Sequence, residues 1–251
     1  MSGHSKWSKI KRQKGADDAK RGQTFTRLTR EIIVAAKEGG GNPEANFRLR
    51  LAVQKARDAN MPGDNINRAI QKGTGSGEGG GQLAEITFEG YGPKGVAIMV
   101  EAVTDNRNRT VQEVRSLFTR FNGSLGASGS VSWIFESKGV LAIDTSGKEG
   151  EDLAMEAIEA GADDVKIEKG YIEIYTKPKE MEAVRKAIEA KHRITSAEIV
   201  MEPKNTVMLD GDDASKVVNF LERLEELDDV QRVSSNMDFS EATMEKLKAS
   251  A

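Results

Sequence analysis

The sequence predicts a multi-domain α+β protein: an N-terminal helical domain, then two α+β (ferredoxin-like) domains, the third inserted in the second. Three observations predict it. Helical periodicity runs to Gly73, a glycine-rich stretch follows, and beyond it short β-type runs alternate with amphipathic helices. At 251 residues, 37% hydrophobic and 31% charged, the chain suits several modest cores better than one large core.

The helical domain spans residues 1–73. Phe25, Leu28, Ile32 and Ala35/Ala36 recur at helical spacing, and Gly39-Gly40-Gly41 stops that helix. Asn42-Pro43-Glu44 reads as a helix start, with a cap, a first-turn proline and an acid at the positive end of the dipole. The helix it opens carries Phe47, Leu51 and Ala56 and ends before Pro62; Asp64 then caps a short helix closed by Gly73. Residues 73–81 form a flexible linker. Gly75, Gly77 and Gly80 match a G-x-G-x-x-G string, but a helix precedes and a strand follows, the reverse of a dinucleotide site.

Beyond the linker, Ile86–Glu89 and Val96–Ala102 read as strands around the turn Gly90–Gly95, and Val111, Val114, Leu117/Phe118 and Phe121 mark a helix. A β-α-β-β-α-β series follows: a strand at about 139–144, a helix at 150–160, strands at about 164–168 and 171–176 meeting at Lys169-Gly170, a helix at 179–190 and a strand at 197–202. That order is the split βαβ. A strand at Thr206–Leu209, a helix at Asp213–Leu227 and a strand at Val230–Ser235 complete the pattern. Neither β-β-α (83–122) nor β-α-β (204–236) makes a comfortable sheet alone. Joined, they give a second α+β domain, 82–132 plus 204–240, with 133–203 inserted. Two consecutive independent units would satisfy the same pattern.

The net charge of −3 conceals an asymmetry. The first 80 residues carry 16 Lys/Arg against 8 Asp/Glu, whereas the rest carry 21 against 32. A basic head on an acidic body points to a polyanionic partner for the head. In the leader, Lys6, Lys9, Lys11, Arg12 and Lys14 surround Trp7 and Ile10. Cations neutralise phosphates, and an indole offers a stacking plane to an unpaired base; packing on the protein's own helices is the other use of Trp7. Lys20, Arg21, Arg27 and Arg30 extend the charge onto the first helix, and Arg48, Arg50, Lys55, Arg57, Arg68 and Lys72 add more. A second cluster, Thr104-Asp-Asn-Arg-Asn-Arg-Thr110, puts Arg107 and Arg109 at a helix start, where the dipole favours anions. With free N–H groups they would hold a phosphate or carboxylate; pairing with the acidic body is the alternative.

Other functions find no support. With no cysteine and two histidines there is no thiolate zinc site, cysteine nucleophile or histidine-rich metal site. No nucleophile elbow or His–carboxylate constellation occurs, so no enzyme, cofactor, metal or small-molecule substrate is expected. No run approaches a membrane span and the N-terminus lacks an apolar signal core, so a cytoplasmic protein is expected.

Long strings carry a resemblance: Gly3-His-Ser-Lys-Trp-Ser-Lys-Ile-Lys, Asn65–Gly73, Glu89-Gly-Tyr-Gly-Pro-Lys-Gly-Val-Ala, Thr104–Thr110 and Gly123–Val131. Over nearly its full length the chain resembles the YebC/PmpR family. The resemblance implies three domains, the third inserted in the second. It also implies a regulator of gene expression: members are described as DNA-binding transcriptional regulators, while relatives, including a mitochondrial translational activator of cytochrome oxidase, act on translation at the ribosome. DNA, or ribosomal RNA with the ribosome, are thus the implied partners. No catalytic residues carry over, and Gly3–Lys14 and Thr104–Thr110 carry over only as contact regions.

Overall fold

The computed structural model describes residues 18–75, 83–145, 150–168 and 170–249. They form two compact units, one of residues 136–202 and the other of the chain before and after it.

In the larger unit three helices form a small bundle: α1 (Asp18–Gly39), α2 (Phe47–Asp58) and α3 (Gly63–Gly73). Leu28, Ile32, Leu49, Ala52, Ile66 and Ala69 close its core. The crossing of α1 and α3 is tight, since a Cβ on Gly73 would lie 2.5 Å from the Ile33 carbonyl oxygen. The start of α2 differs from expectation. Asn42 makes a local turn, its Oδ1 accepting the Glu44 N–H, and the cap is Asn46, whose Oδ1 accepts the Leu49 N–H at 3.0 Å. Asn46 wins because its amide also donates to the carbonyls of Ala35 (2.7 Å) and Gly40 (2.9 Å), tying α2 to the end of α1. Nor does Asp64 cap α3: the cap position is Pro62, with no side-chain bond, and Asp64 sits in the first turn.

An antiparallel sheet follows, in the order β3 (Ser124–Leu125), β1 (Ala84–Tyr91), β2 (Ala97–Thr104), β9 (Val230–Ser235). Helices α4 (Arg107–Arg120) and α7 (Gly211–Glu225) cover it. Phe118 meets Phe220 edge-on at 5.0 Å and Phe121 stacks on Phe220 at 4.9 Å, over Ile98, Val100 and Val217. This sheet lacks the split-βαβ order. β8 (Val207–Leu209) does not enter it but pairs in parallel with β10 (Met237–Phe239), ahead of a last helix, α8 (Glu241–Ala249). Asn236 turns the chain out between β9 and β10: its side chain accepts the Ala97 N–H at 2.8 Å and its backbone carbonyl accepts the Val207 N–H at 2.7 Å.

The smaller unit holds most of β4 (Phe135–Asp144), then α5 (Gly150–Glu159), β5 (Asp164–Glu168), β6 (Tyr171–Thr176), α6 (Met181–Glu189) and most of β7 (Ile194–Pro203). Its sheet runs β5-β6-β4-β7, the split-βαβ order. Leu141, Ile143, Ile172 and Ile174 from the sheet meet Leu153, Val184 and Ile188 from the helices in being fully or almost fully buried.

Candidate nucleic-acid interface

Lys6, Trp7, Lys9, Lys11, Arg12 and Lys14 lie outside the described residues, as do the side chains of Lys20 and Arg21, whose backbone belongs to the first turn of α1. The structure does speak for the cations that follow. Arg27 donates to the carbonyls of Glu225 and Leu227, and Arg30 to that of Asp228. These carbonyls lie at the C-terminal end of α7, where backbone acceptors lack helical partners and the dipole welcomes a cation. Both arginines therefore dock the helical bundle onto the sheet domain. Arg48 pairs with Glu38 and Glu85, and Arg50 donates to the carbonyls of Pro43 and Glu44. Four of the cations that sequence alone assigns to a polyanion surface, Arg27, Arg30, Arg48 and Arg50, are here committed to architecture.

The Thr104–Thr110 string closes around one buried carboxylate, Asp229. Its Oδ2 accepts from Thr110 Oγ1 (2.6 Å), Arg109 (2.7 Å) and Thr104 Oγ1 (2.9 Å), and its Oδ1 lies 2.9 Å from Arg30. Burial raises the proton affinity of Asp229, but the hydrogen bonds from Thr110, Arg109 and Thr104, with the charge of Arg30, outweigh it, and the carboxyl sits below its ordinary range. Asn106 caps α4 by accepting the Arg109 N–H at 3.1 Å, and Asp105 holds the Arg109 guanidinium at 2.9 Å. Of the two arginines singled out, Arg109 is thus engaged with the protein's own carboxylates, with its side chain half-exposed. Arg107 is exposed and has no partner among the described residues.

Two features escape the sequence reading. Arg115, two turns beyond Arg107 on α4, is also exposed and unpartnered among the described residues; it lines a groove of about 570 Å³ with Arg107 and Val111. Then comes the Gly126–Ser132 loop. The buried carboxylate of Glu89 accepts the N–H groups of Gly129 (2.9 Å), Val131 (2.8 Å) and Ser132 (2.8 Å). Burial alone would raise the pKa of Glu89; the three backbone donors bring it below the ordinary carboxylate value. The clamped loop presents Trp133, 61% exposed, whose indole donates to the Ser130 carbonyl at 3.1 Å, as the Tyr91 hydroxyl does at 3.2 Å. A tryptophan beside a glycine- and serine-rich run was the available signal.

Models of the TACO1/YebC N-terminal domain and of the TACO1/YebC second and third domain match residues 5–76 and 83–237. The chain belongs to the TACO1/YebC family. It is 57% identical over 252 residues, all of both chains, to a "Probable transcriptional regulatory protein" of Dehalococcoides mccartyi. It is 54% identical to a protein of the same description from Rubrobacter xylanophilus, over 97% of this chain and 98% of that one. A crystal structure of a conserved hypothetical protein from Aquifex aeolicus is 49% identical with a TM-score of 0.81, covering 89% of this chain and 93% of that one. Among the described residues no helix is long and apolar enough to cross a membrane, and no cluster of three or more His, Cys, Asp or Glu could hold a metal.

Proposed function

We propose that this TACO1/YebC protein is a regulator of gene expression that works in the cytoplasm, not as an enzyme, by binding nucleic acid through its basic leader. One observation carries the reading: nine cations against two acids in the first 30 residues, ahead of an acidic body. Lys6, Lys9, Lys11, Arg12, Lys14, Lys20 and Arg21 would neutralise phosphates and Trp7 would stack; Arg109 would act by holding the start of α4. The relatives' description supports a transcriptional role, for which the leader's ligand would be DNA. A second reading, contact with ribosomal RNA, has its own support in Trp133, an exposed indole held on a fixed loop and suited to an unpaired base. The three-domain arrangement, with 133–203 inserted, is part of the proposal.

The test is a chain lacking Met1–Lys14. With about five phosphates neutralised, log K for the full chain should fall with log salt at a slope of roughly −3.5 to −4.5. The truncated chain should keep its thermal transition and lose most of its affinity. Equal affinity at equal salt refutes the leader as the binding element.

A further inference from the structure

The groove beside α4 lies along an unfinished sheet edge. On one side β1 is paired with β2 over its whole length, but on the other β3 reaches only Tyr91 and Gly90. The Gly126 N–H then takes the Glu89 carbonyl at 2.8 Å, and the ladder ends. Backbone groups of alternate strand residues point to the same side. The N–H and C=O of Thr87, two residues on, therefore face the groove side with no β3 partner. Thr87 and Phe88 form one wall, Arg107, Val111 and Arg115 the other, and Leu125 lies at the β3 end. The lining's one acid, Glu89, is buried with its oxygens occupied by three backbone N–H groups, while neither arginine has a partner among the described residues.

We propose that this groove binds an extended acidic peptide of a protein partner, which continues the sheet beside β1 in place of the missing length of β3. An open strand edge offers donors and acceptors in alternation, and a peptide backbone answers both. A sugar–phosphate backbone has no regular alternation of donors and acceptors at strand spacing, and the exposed aromatic rings, Trp133 and Tyr91, do not line the groove.

The spacing defines the ligand. Arg107, Val111 and Arg115 stand at successive helical fourths, rising about 6 Å and about 12 Å along the wall. An extended chain covers about 6.6 Å in two residues and about 13 Å in four. The matching strand has carboxylates four residues apart with an apolar residue midway, all on one face. Its carboxylates pair with the two guanidinium groups and its apolar side chain covers Val111.

The experiment uses the full chain and a fluorescent peptide Thr-Thr-Glu-Thr-Val-Thr-Glu-Thr-Thr, followed by anisotropy. Saturable binding is expected, weakened about tenfold or more in the Arg107→Gln/Arg115→Gln double variant. Two backbone N-methylated peptides, methylated at alternate residues in opposite phase, separate strand addition from charge alone: one phase abolishes binding and the other keeps it. In isotope-labelled protein the Thr87 amide signal should move on peptide addition. No binding, binding indifferent to the arginines, or equal tolerance of both methylation phases overturns the proposal. So does a single-stranded oligonucleotide that displaces the peptide and moves the Thr87 amide with the same arginine dependence, which would assign the groove to nucleic acid.

Discussion

Asp229 separates the two arginines at the start of α4, since Arg109 pairs with it and Arg107 does not. It is buried, ionised and held by Thr104, Arg109, Thr110 and Arg30. Removing Arg109 leaves a buried carboxylate short of a donor, which costs about 1–2 kcal/mol at a half-exposed partner. Arg107→Ala, with no partner to abandon, should stay within about 0.5 kcal/mol of the parent. Urea denaturation at neutral pH separates the two, and equal stability of both variants would remove Asp229 from its role as hub. The pH dependence has a definite sign. The folded carboxyl of Asp229 lies below its unfolded value, so its contribution is complete above about pH 4 and is lost as pH falls through the folded pKa. The gap between parent and Arg109→Ala should therefore narrow in acid. Sequence could place both arginines at a helix start but not choose between ligand and internal pairing, because Asp229 is 120 residues from Arg109.

At the scale of elements, legibility followed locality. The strands Asp164–Glu168, Tyr171–Thr176 and Val230–Ser235 fall where β-type runs and turn residues put them, since side-chain alternation and turn chemistry are local properties. The start of α2 was misplaced because Asn42 and Asn46 are both competent caps, and bonds to Ala35 and Gly40 make the choice. β8 carries a strand-like pattern, yet its partner is β10, a three-residue strand beyond the segments the pattern marked out. The Glu89 clamp was invisible for a like reason: an acid in an apolar strand gives no hint that three N–H groups from residues 129–132 await it. Glu89→Gln should loosen that loop, because a neutral amide cannot replace the charge-assisted bonds. We expect faster hydrogen exchange at Gly129, Val131 and Ser132, with a stability loss of about 1–3 kcal/mol. Unchanged protection at these amides would mean that the loop holds its shape without the carboxylate.

For the whole molecule the open choice is between duplex DNA and folded RNA, and the distribution of committed charge bears on it. A reader of duplex sequence needs a rigid element offering three or four side chains to a groove. In the helical bundle Arg27, Arg30, Arg48 and Arg50 are tied to carbonyls or carboxylates of the protein itself. That leaves the leader as the densest source of cations, with five of them and an indole between Lys6 and Lys14. Cations interleaved with an indole can neutralise phosphates and stack on an unpaired base, and an intact duplex offers no such base. We therefore expect affinity for ribosomes or structured RNA to equal or exceed that for promoter-length DNA at the same salt. Competition titrations of the full chain at about physiological ionic strength measure this directly, because the strongly salt-dependent affinities of all three ligands are then compared at one salt concentration. Tight DNA binding that survives excess nonspecific duplex, with no retention on ribosomes, would decide for a transcriptional reader and against RNA. Preferential retention on ribosomes, lost when Met1–Lys14 is removed, would place the leader in contact with RNA.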